Sequence, residues 1–376
     1  MTSEHSVPQP PTSRWQRVRQ RYRISTRAIT MTAAGLVSFG LLVPMLLVPV
    51  PYAVEASGPT FNTLGEVADH PLITIDGADT YPDDEGELRL TTVTTAGGPG
   101  FPVTAGSVIR GWLSGHMLVQ PAEAVFRPDV TEEQRSEVAA QQMASSQQNA
   151  TVAALTQQGY EVPATLTVAG AVPDSDADGV VEAEDVVTAL TTPSGAHQIE
   201  TYQDLSDALA ATAPGSTVTL TVDRDGVATD LEITTGPDGS GGSVLGVFLS
   251  AEYDYPIDVH IEIDNVGGPS AGTMFALGIL DLLNPEPLAG GHVVAGTGTI
   301  SPDGQVGPIG GVRLKMLGAQ RDGAEYFLAP AANCGEVVGH VPDGLQVIQV
   351  ATLDEAEQAM HAIADGTAAD LPSCAD

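Results

Sequence analysis

The sequence predicts an α+β protein behind an N-terminal transmembrane helix, with a β-rich domain followed by a second α+β domain. Three observations carry that prediction. One long uncharged run lies near the N-terminus, and residues 160–236 show alternating strand patterns around one short helix. Beyond residue 240, apolar strand segments alternate with helical spacing after glycine-rich breaks. Apolar residues make up 42% of the 376, enough to fill the cores of two or three domains.

The uncharged run is Ala28 to Val48, 21 residues. As a helix it rises about 31 Å and crosses a hydrocarbon core. Arg14, Arg17, Arg19, Arg21, Arg23 and Arg27 precede it and acids follow. Positive-inside topology then makes residues 1–27 a basic cytoplasmic tail, 28–51 the membrane segment, and everything after it extracytoplasmic. Pro44 lies within the run, which membrane helices tolerate. The rival reading is a cleaved signal peptide with its processing site at Val54–Ala56, although the apolar run is longer than a usual signal core.

The formal net charge is −34. Residues 1–52 hold six arginines and one acid, a net +5, so the rest of the chain stands at −39. Such a body repels nucleic-acid phosphates, which argues against a nucleic-acid partner. Cys334 and Cys374 suit an oxidising exterior as a disulfide, with two free thiols as the alternative. The eight histidines fall singly, without an HExxH or CxxC motif, so neither metal nor cofactor is expected.

Residues 52–130 read as β-rich, with "PLITIDG" and "GELRLTTVTT" as strands. Residues 131–159, rich in Gln, Ala, Glu and Ser, read as a solvated connector helix. Residues 160–236 form a compact unit: the strand "TLTVAGAV", the helix "YQDLSDALAAT" led by Asp204, and a closing hairpin turned at Arg224-Asp225-Gly226. This order resembles a PDZ domain of the bacterial protease type. "EAEDVVTAL" stands where such domains usually carry Gly-Asp-Val-Ile, with Glu184 in place of the Gly. The resemblance implies a groove between a strand and the helix that takes an extended peptide. A competing signal is the acidic loop in which Asp174, Asp176, Asp178, Gly179 and Asp185 occupy positions 1, 3, 5, 6 and 12 of a calcium-loop pattern. An acidic surface loop on an acidic protein is the simpler reading.

The chemistry lies in residues 240–366. In "DNVGGPSAGTMFALGILDLL", Gly267-Gly268-Pro269 breaks the strand pattern and helical spacing begins at Ser270. A serine there is either an N-cap or a nucleophile whose oxyanion meets unpaired backbone N–H groups. Lys315, in "PIGGVRLKMLGAQ", is the chain's one lysine beside thirteen arginines. Chains of this length usually carry roughly twenty. A lysine acts as general base when neutral, which near pH 7 requires lowering its pKa by about three units, or roughly 4 kcal/mol. Arginine cannot perform that task, because it does not release its proton.

"GGPSAG" and, 45 residues after its serine, the lysine of "PIGGVRLK" resemble the proteolytic domain of Lon proteases, which use a Ser–Lys dyad. Gly267 replaces the aspartate of the Lon Asp-Gly-Pro-Ser-Ala-Gly pattern. "TGTISPDGQV" aligns with a Lon hairpin and places Thr297 beside the dyad. Together with the membrane segment and the PDZ-like unit, the chain resembles PDZ-containing, Lon-like membrane serine proteases of Gram-positive bacteria. The resemblance implies Ser270 and Lys315 as catalytic residues, Thr297 in support, and the backbone N–H groups of Ser270 and Ala271 as oxyanion donors. It also implies polypeptide substrates and a homo-oligomeric ring, with a hexamer as the candidate size. From strand content, residues 52–130 are expected to pack on the 240–366 domain, leaving 367–376 as a tail. No Gly-x4-Gly-Lys-Ser/Thr loop occurs, so cleavage is expected to be ATP-independent. The alternative is a tethered PDZ peptide-binding scaffold with a latent protease fold.

Overall fold

The computed structural model describes residues 25–82, 86–98, 100–126, 130–238 and 242–374. Most of the expected basic tail, residues 1–24, lies outside them. The chain divides into two units, one of residues 1–54 and 96–125, the other of 55–95 and 126–376.

In the first unit, Thr26–Leu47 form a 22-residue helix with no buried residue. At 1.5 Å per residue it is about 33 Å long. Ser25 caps it by accepting from Ala28 N at 3.2 Å. Thr30 and Thr32 donate their hydroxyls to carbonyls one turn back, so neither leaves a polar group unmet in apolar surroundings. Among the described residues it is the one helix long and apolar enough to cross a membrane. A second helix, Ala105–Ser114, is capped by Thr104 and ends at Gly115. Ala105 N donates to Val48 O and Val50 N to Val103 O, both at 3.0 Å, so this helix starts where the long one stops.

The second unit contains two large sheets and several two-stranded pairs. Its main strands and helices in chain order are β1 (Tyr52–Asn62, which begins in the first unit), β2 (Ile73–Asp76), β3 (Glu87–Ala96), α1 (Glu132–Gln157), β4 (Ala164–Ala171), β5 (Val186–Thr192), β6 (Gly195–Gln198), α2 (Tyr202–Ala210), β7 (Thr217–Arg224), β8 (Val227–Thr234), β9 (Val247–Tyr253), β10 (Asp258–Ile261), α3 (Gly272–Leu283), β11 (Val293–Gly296), β12 (Thr299–Ile300), β13 (Val306–Gly307), α4 (Val312–Arg321), β14 (Tyr326–Pro330), β15 (Gln346–Val350) and α5 (Leu353–Ala364).

One sheet runs β8-β7-β5-β4-β9, with β6 on β5. Its alternating inward residues, among them Leu166, Val168, Leu190, Leu220, Val222 and Ile233, form a core closed by Leu205 of α2. Here the structure departs from the expected division at residues 236–240. Residues 247–253 belong to this sheet, with Val247 opposite Ala171 and Tyr253 opposite Ala164. The reason is the open edge of β4, which a strand returning from further along the chain covers. The helix α2 is led by Thr201, with Asp204 as its partner in a capping box.

The other sheet orders β15-β14-β11-β3-β1 within this unit. β3, β11, β14 and β15 are parallel, and Leu88 lies opposite Val294. Leu88, Leu90, Val294, Leu328 and Ile348 cluster with α3 and α5. Ala295, Phe327, Ala329 and Val347 alternate with them and cluster with Val312, Met316 and Ala319 of α4. The sheet therefore lies between two helical layers, one carrying the segment that follows Ser270 and the other carrying Lys315. α3 is buried from Gly272 to Leu282 and mostly apolar, with Thr273 and Asp281 as its polar side chains. Each of its fully buried Leu or Phe side chains contributes about 1.5–3 kcal/mol.

The expected solvated connector, α1, is exposed mainly in its first half. From Met143 on, Met143, Ala150, Ala153 and Ala154 pack into the α3 core. Small residues at helical spacing let the two helices approach closely, which the polar composition of the segment hides. Cys334 and Cys374 are joined as a disulfide.

Candidate active site

The segment Gly267-Gly268-Pro269 brings the chain to the start of α3 with Gly268 at φ 89°. α1 holds this turn from behind: Gly268 N donates to Ala139 O, and Ser146 Oγ donates to Pro269 O, both at 3.0 Å. Ser270 comes next, half-buried, but it is not a helix cap. The N-cap position is Ala271, and no side chain caps α3. The Ser270 carbonyl accepts from Thr297 Oγ1 at 2.9 Å and from Gly298 N at 3.0 Å, which fixes the backbone behind its hydroxyl. Gly298 is required at that contact, because a Cβ there would lie 2.3 Å from Thr273 Oγ1.

On the opposite layer, α4 presents Lys315 one turn into the helix, where its backbone N–H donates to Gly311 O at 3.1 Å. The side chain is 3% exposed. Nζ lies 2.7 Å from Ser270 Oγ and 2.9 Å from Thr297 Oγ1. Burial pushes the amine down to about 7, because the ammonium loses its hydration in this position. The structure thus brings together Ser270, Lys315 and Thr297, with Ala271 immediately after Ser270 at the mouth of α3.

Two supporting residues were missed by reading the sequence. Asn333, 2% exposed, accepts from Ile309 N and donates to Ile309 O, both at 2.9 Å. It thereby clamps the loop that enters the lysine helix. Ser146 grips the serine loop from α1. Neither has a local signature, since each acts through a segment distant in sequence.

The calcium-loop acids do not converge. Asp185 is held by Arg224, with Nε to Oδ1 and Nη2 to Oδ2 both at 2.7 Å, while Asp176 accepts from Thr234 N. Among the described residues, no three His, Cys, Asp or Glu side chains gather as metal ligands. Asn149 donates to Ile300 O at 3.0 Å, so its amide serves packing between α1 and β12.

Residues 250–363 match the family model of the Lon protease (S16) C-terminal proteolytic domain. Lon protease 2 of Sorangium cellulosum is 39% identical over 115 residues, covering 28% of this chain and 14% of the relative. Lon protease 2 of Bacillus subtilis is 37% identical over 101 residues, covering 26% of this chain and 18% of the relative. The chain therefore spans less than a fifth of the length of these relatives. Similar solved structures include the PDZ domains of SdrC-like proteins from Listeria innocua and Listeria monocytogenes. The first is 19% identical, covers 23% of this chain and 92% of that one, and has a TM-score of 0.21. The second is 20% identical, covers 23% and 86%, and has a TM-score of 0.20. The C-terminal segment carries a Lon-type proteolytic domain.

Proposed function

We propose that this chain is a membrane-anchored, ATP-independent serine endopeptidase that cleaves loose or unfolded extracytoplasmic polypeptides. The observation that carries the reading is a single buried lysine amine 2.7 Å from the hydroxyl of Ser270. With its pKa near 7, a large share of the amine is neutral at physiological pH. The neutral lone pair takes the Ser270 proton as Oγ attacks the scissile carbonyl. The carbonyl oxygen becomes an oxyanion facing the backbone N–H groups of Ser270 and Ala271 at the uncapped start of α3. The resulting ammonium gives its proton to the leaving amine, and an acyl-ester remains on Ser270. The neutral amine then activates water, which releases the acid product and restores the hydroxyl. Thr297 holds Nζ in line by hydrogen bonding to it.

The 164–253 sheet, taken as PDZ-like, would present substrate. β9 is the end strand of that sheet, so an extended polypeptide can add beside it. Ser206 Oγ of α2 donates to Asp303 Oδ2 at 2.6 Å, tying this unit to the β12–β13 hairpin that follows Thr297. Assembly into a ring, with a hexamer as the candidate size, and a cytoplasmic N-terminus complete the reading.

Cleavage of unfolded casein by the full chain, with and without ATP, tests it. Wild type is expected to cleave without ATP, and Ser270→Ala and Lys315→Arg to be inactive. Unchanged cleavage in either variant would remove the proposal.

A further inference from the structure

The first unit carries a surface that peptide cleavage does not use. On helix Ala105–Ser114, the side chains of Ile109, Trp112 and Leu113 are 43%, 62% and 82% exposed. They stand at i, i+3 and i+4, so they form one stripe. The opposite face is satisfied, with Val108 and Gly111 buried. Phe101, just before the helix, is 68% exposed. The exposed stripe is therefore not the unfinished side of a core.

Two further observations indicate what covers it. The helix begins where the long apolar helix ends, bonded to Val48 O through Ala105 N, and Trp112 packs edge-on against Tyr52 at 5.9 Å. An aromatic pair at the end of a spanning helix suits the boundary between hydrocarbon and headgroups. Charge points the same way. Beyond the long helix, this unit (residues 48–54 and 96–125) holds one of the chain's 48 acids, Glu123, and one arginine, Arg110 on the short helix; the other six arginines precede the span and belong to its far side. An anionic lipid surface repels carboxylates and attracts arginine, so this unit is compatible with such a surface while the rest of the chain is not.

We propose that helix Ala105–Ser114 lies flat in the interface of the membrane that the long helix crosses, with Ile109, Trp112 and Leu113 immersed in lipid. The proposal rests on the membrane-anchored reading and adds a second, in-plane attachment to it. One consequence is that the chain leaving the span is held against the bilayer surface instead of rising freely from it.

The chain has two tryptophans, so Trp15→Phe leaves Trp112 as the sole indole. The full-length variant is reconstituted in phosphatidylcholine–phosphatidylglycerol vesicles, a share of them brominated on the acyl chains. Carbonate-resistant flotation tests the span before any fluorescence is read, and a chain that fails to float overturns both readings. In floated protein, Trp112 is expected to show blue-shifted emission, loss of emission with bromolipid and little quenching by acrylamide. Adding Ile109→Ser and Leu113→Ser is expected to shift the emission red with flotation unchanged. Emission like that of a water-exposed indole, insensitive to bromolipid, would overturn the proposal. So would shielding from both quenchers, which would assign the stripe to a protein partner.

Discussion

Lys315 and Asp185 are both buried ionisable side chains, 3% and 1% exposed, and the two sheets of the second unit treat them in opposite ways. In the β4–β9 sheet, Asp185 meets the fork of Arg224 through two bonds of 2.7 Å, which hold its carboxyl below the usual carboxylate range. Its charge is thereby fixed. Beside the parallel sheet, Lys315 meets two hydroxyls, Ser270 and Thr297, and burial brings its amine to about 7. Its charge is thereby adjustable. An ion partner turns a buried charge into a structural clasp, whereas hydroxyl partners leave a proton that can move at neutral pH.

Exchanging the chemistry of each residue should separate the two roles most sharply in activity. Lys315→Arg keeps a cation but cannot release a proton, so peptide cleavage is expected to fall at least about 10³-fold. Asp185→Asn, whose bonds run to Arg224 and Glu182 and not to the dyad, should leave cleavage by the folded protein at the wild-type level. Comparable losses in both variants would break the distinction.

Stability should move in opposite directions. Keeping the Lys315 amine buried near neutral pH costs about 4 kcal/mol relative to an unfolded chain in which it titrates at 10.5. Lys315→Met is therefore expected to raise unfolding free energy by about 2–4 kcal/mol, less whatever the orphaned hydroxyls lose. Asp185→Asn should lower it, because Arg224 keeps its ion pair with Glu182 but loses the two charged bonds to Asp185. Urea unfolding at neutral pH measures both.

The pH dependences should differ as well. For Lys315 the folded value, about 7, lies below the unfolded 10.5, so the unfolded state binds more protons between them and stability rises with pH across that window. The rate of cleavage should rise with pH too, half-maximal near 7, as the amine becomes neutral. For Asp185 the folded value lies below 3.8, so its contribution is present above the unfolded value and fades as the pH falls through the folded one. Acid unfolding of Asp185→Asn should thus lose that component.

The smallest effect is expected at Thr297. Thr297→Val removes a bond to Nζ and another to the Ser270 carbonyl, and should lower kcat about 10- to 100-fold. Thr297→Ser should restore most of it, whereas a purely steric role would give the reverse order.

Much of this could be read from residues alone, because the motifs are local. Ser270 follows a Gly-Gly-Pro break, Lys315 is unique in composition, and both α3 and α4 show apolar spacing. What escaped reading depends on long-range closure. β9 joins the sheet of β4 across some eighty intervening residues, and nothing in "VFLSAEY" states which edge it will cover. α1 looks polar, yet its alanines pack on α3 and its Ser146 holds the serine loop. The calcium spacing was present in sequence, but Arg224, distant along the chain, claimed Asp185 first.

The most direct test uses the composition itself. Protein labelled with ¹³C at lysine Cε carries one signal from the whole chain, since Lys315 is its single lysine. Followed by NMR against pH in the folded state, that signal should titrate near 7. A midpoint near 10.5, the value of an ordinary lysine, would contradict the buried general base.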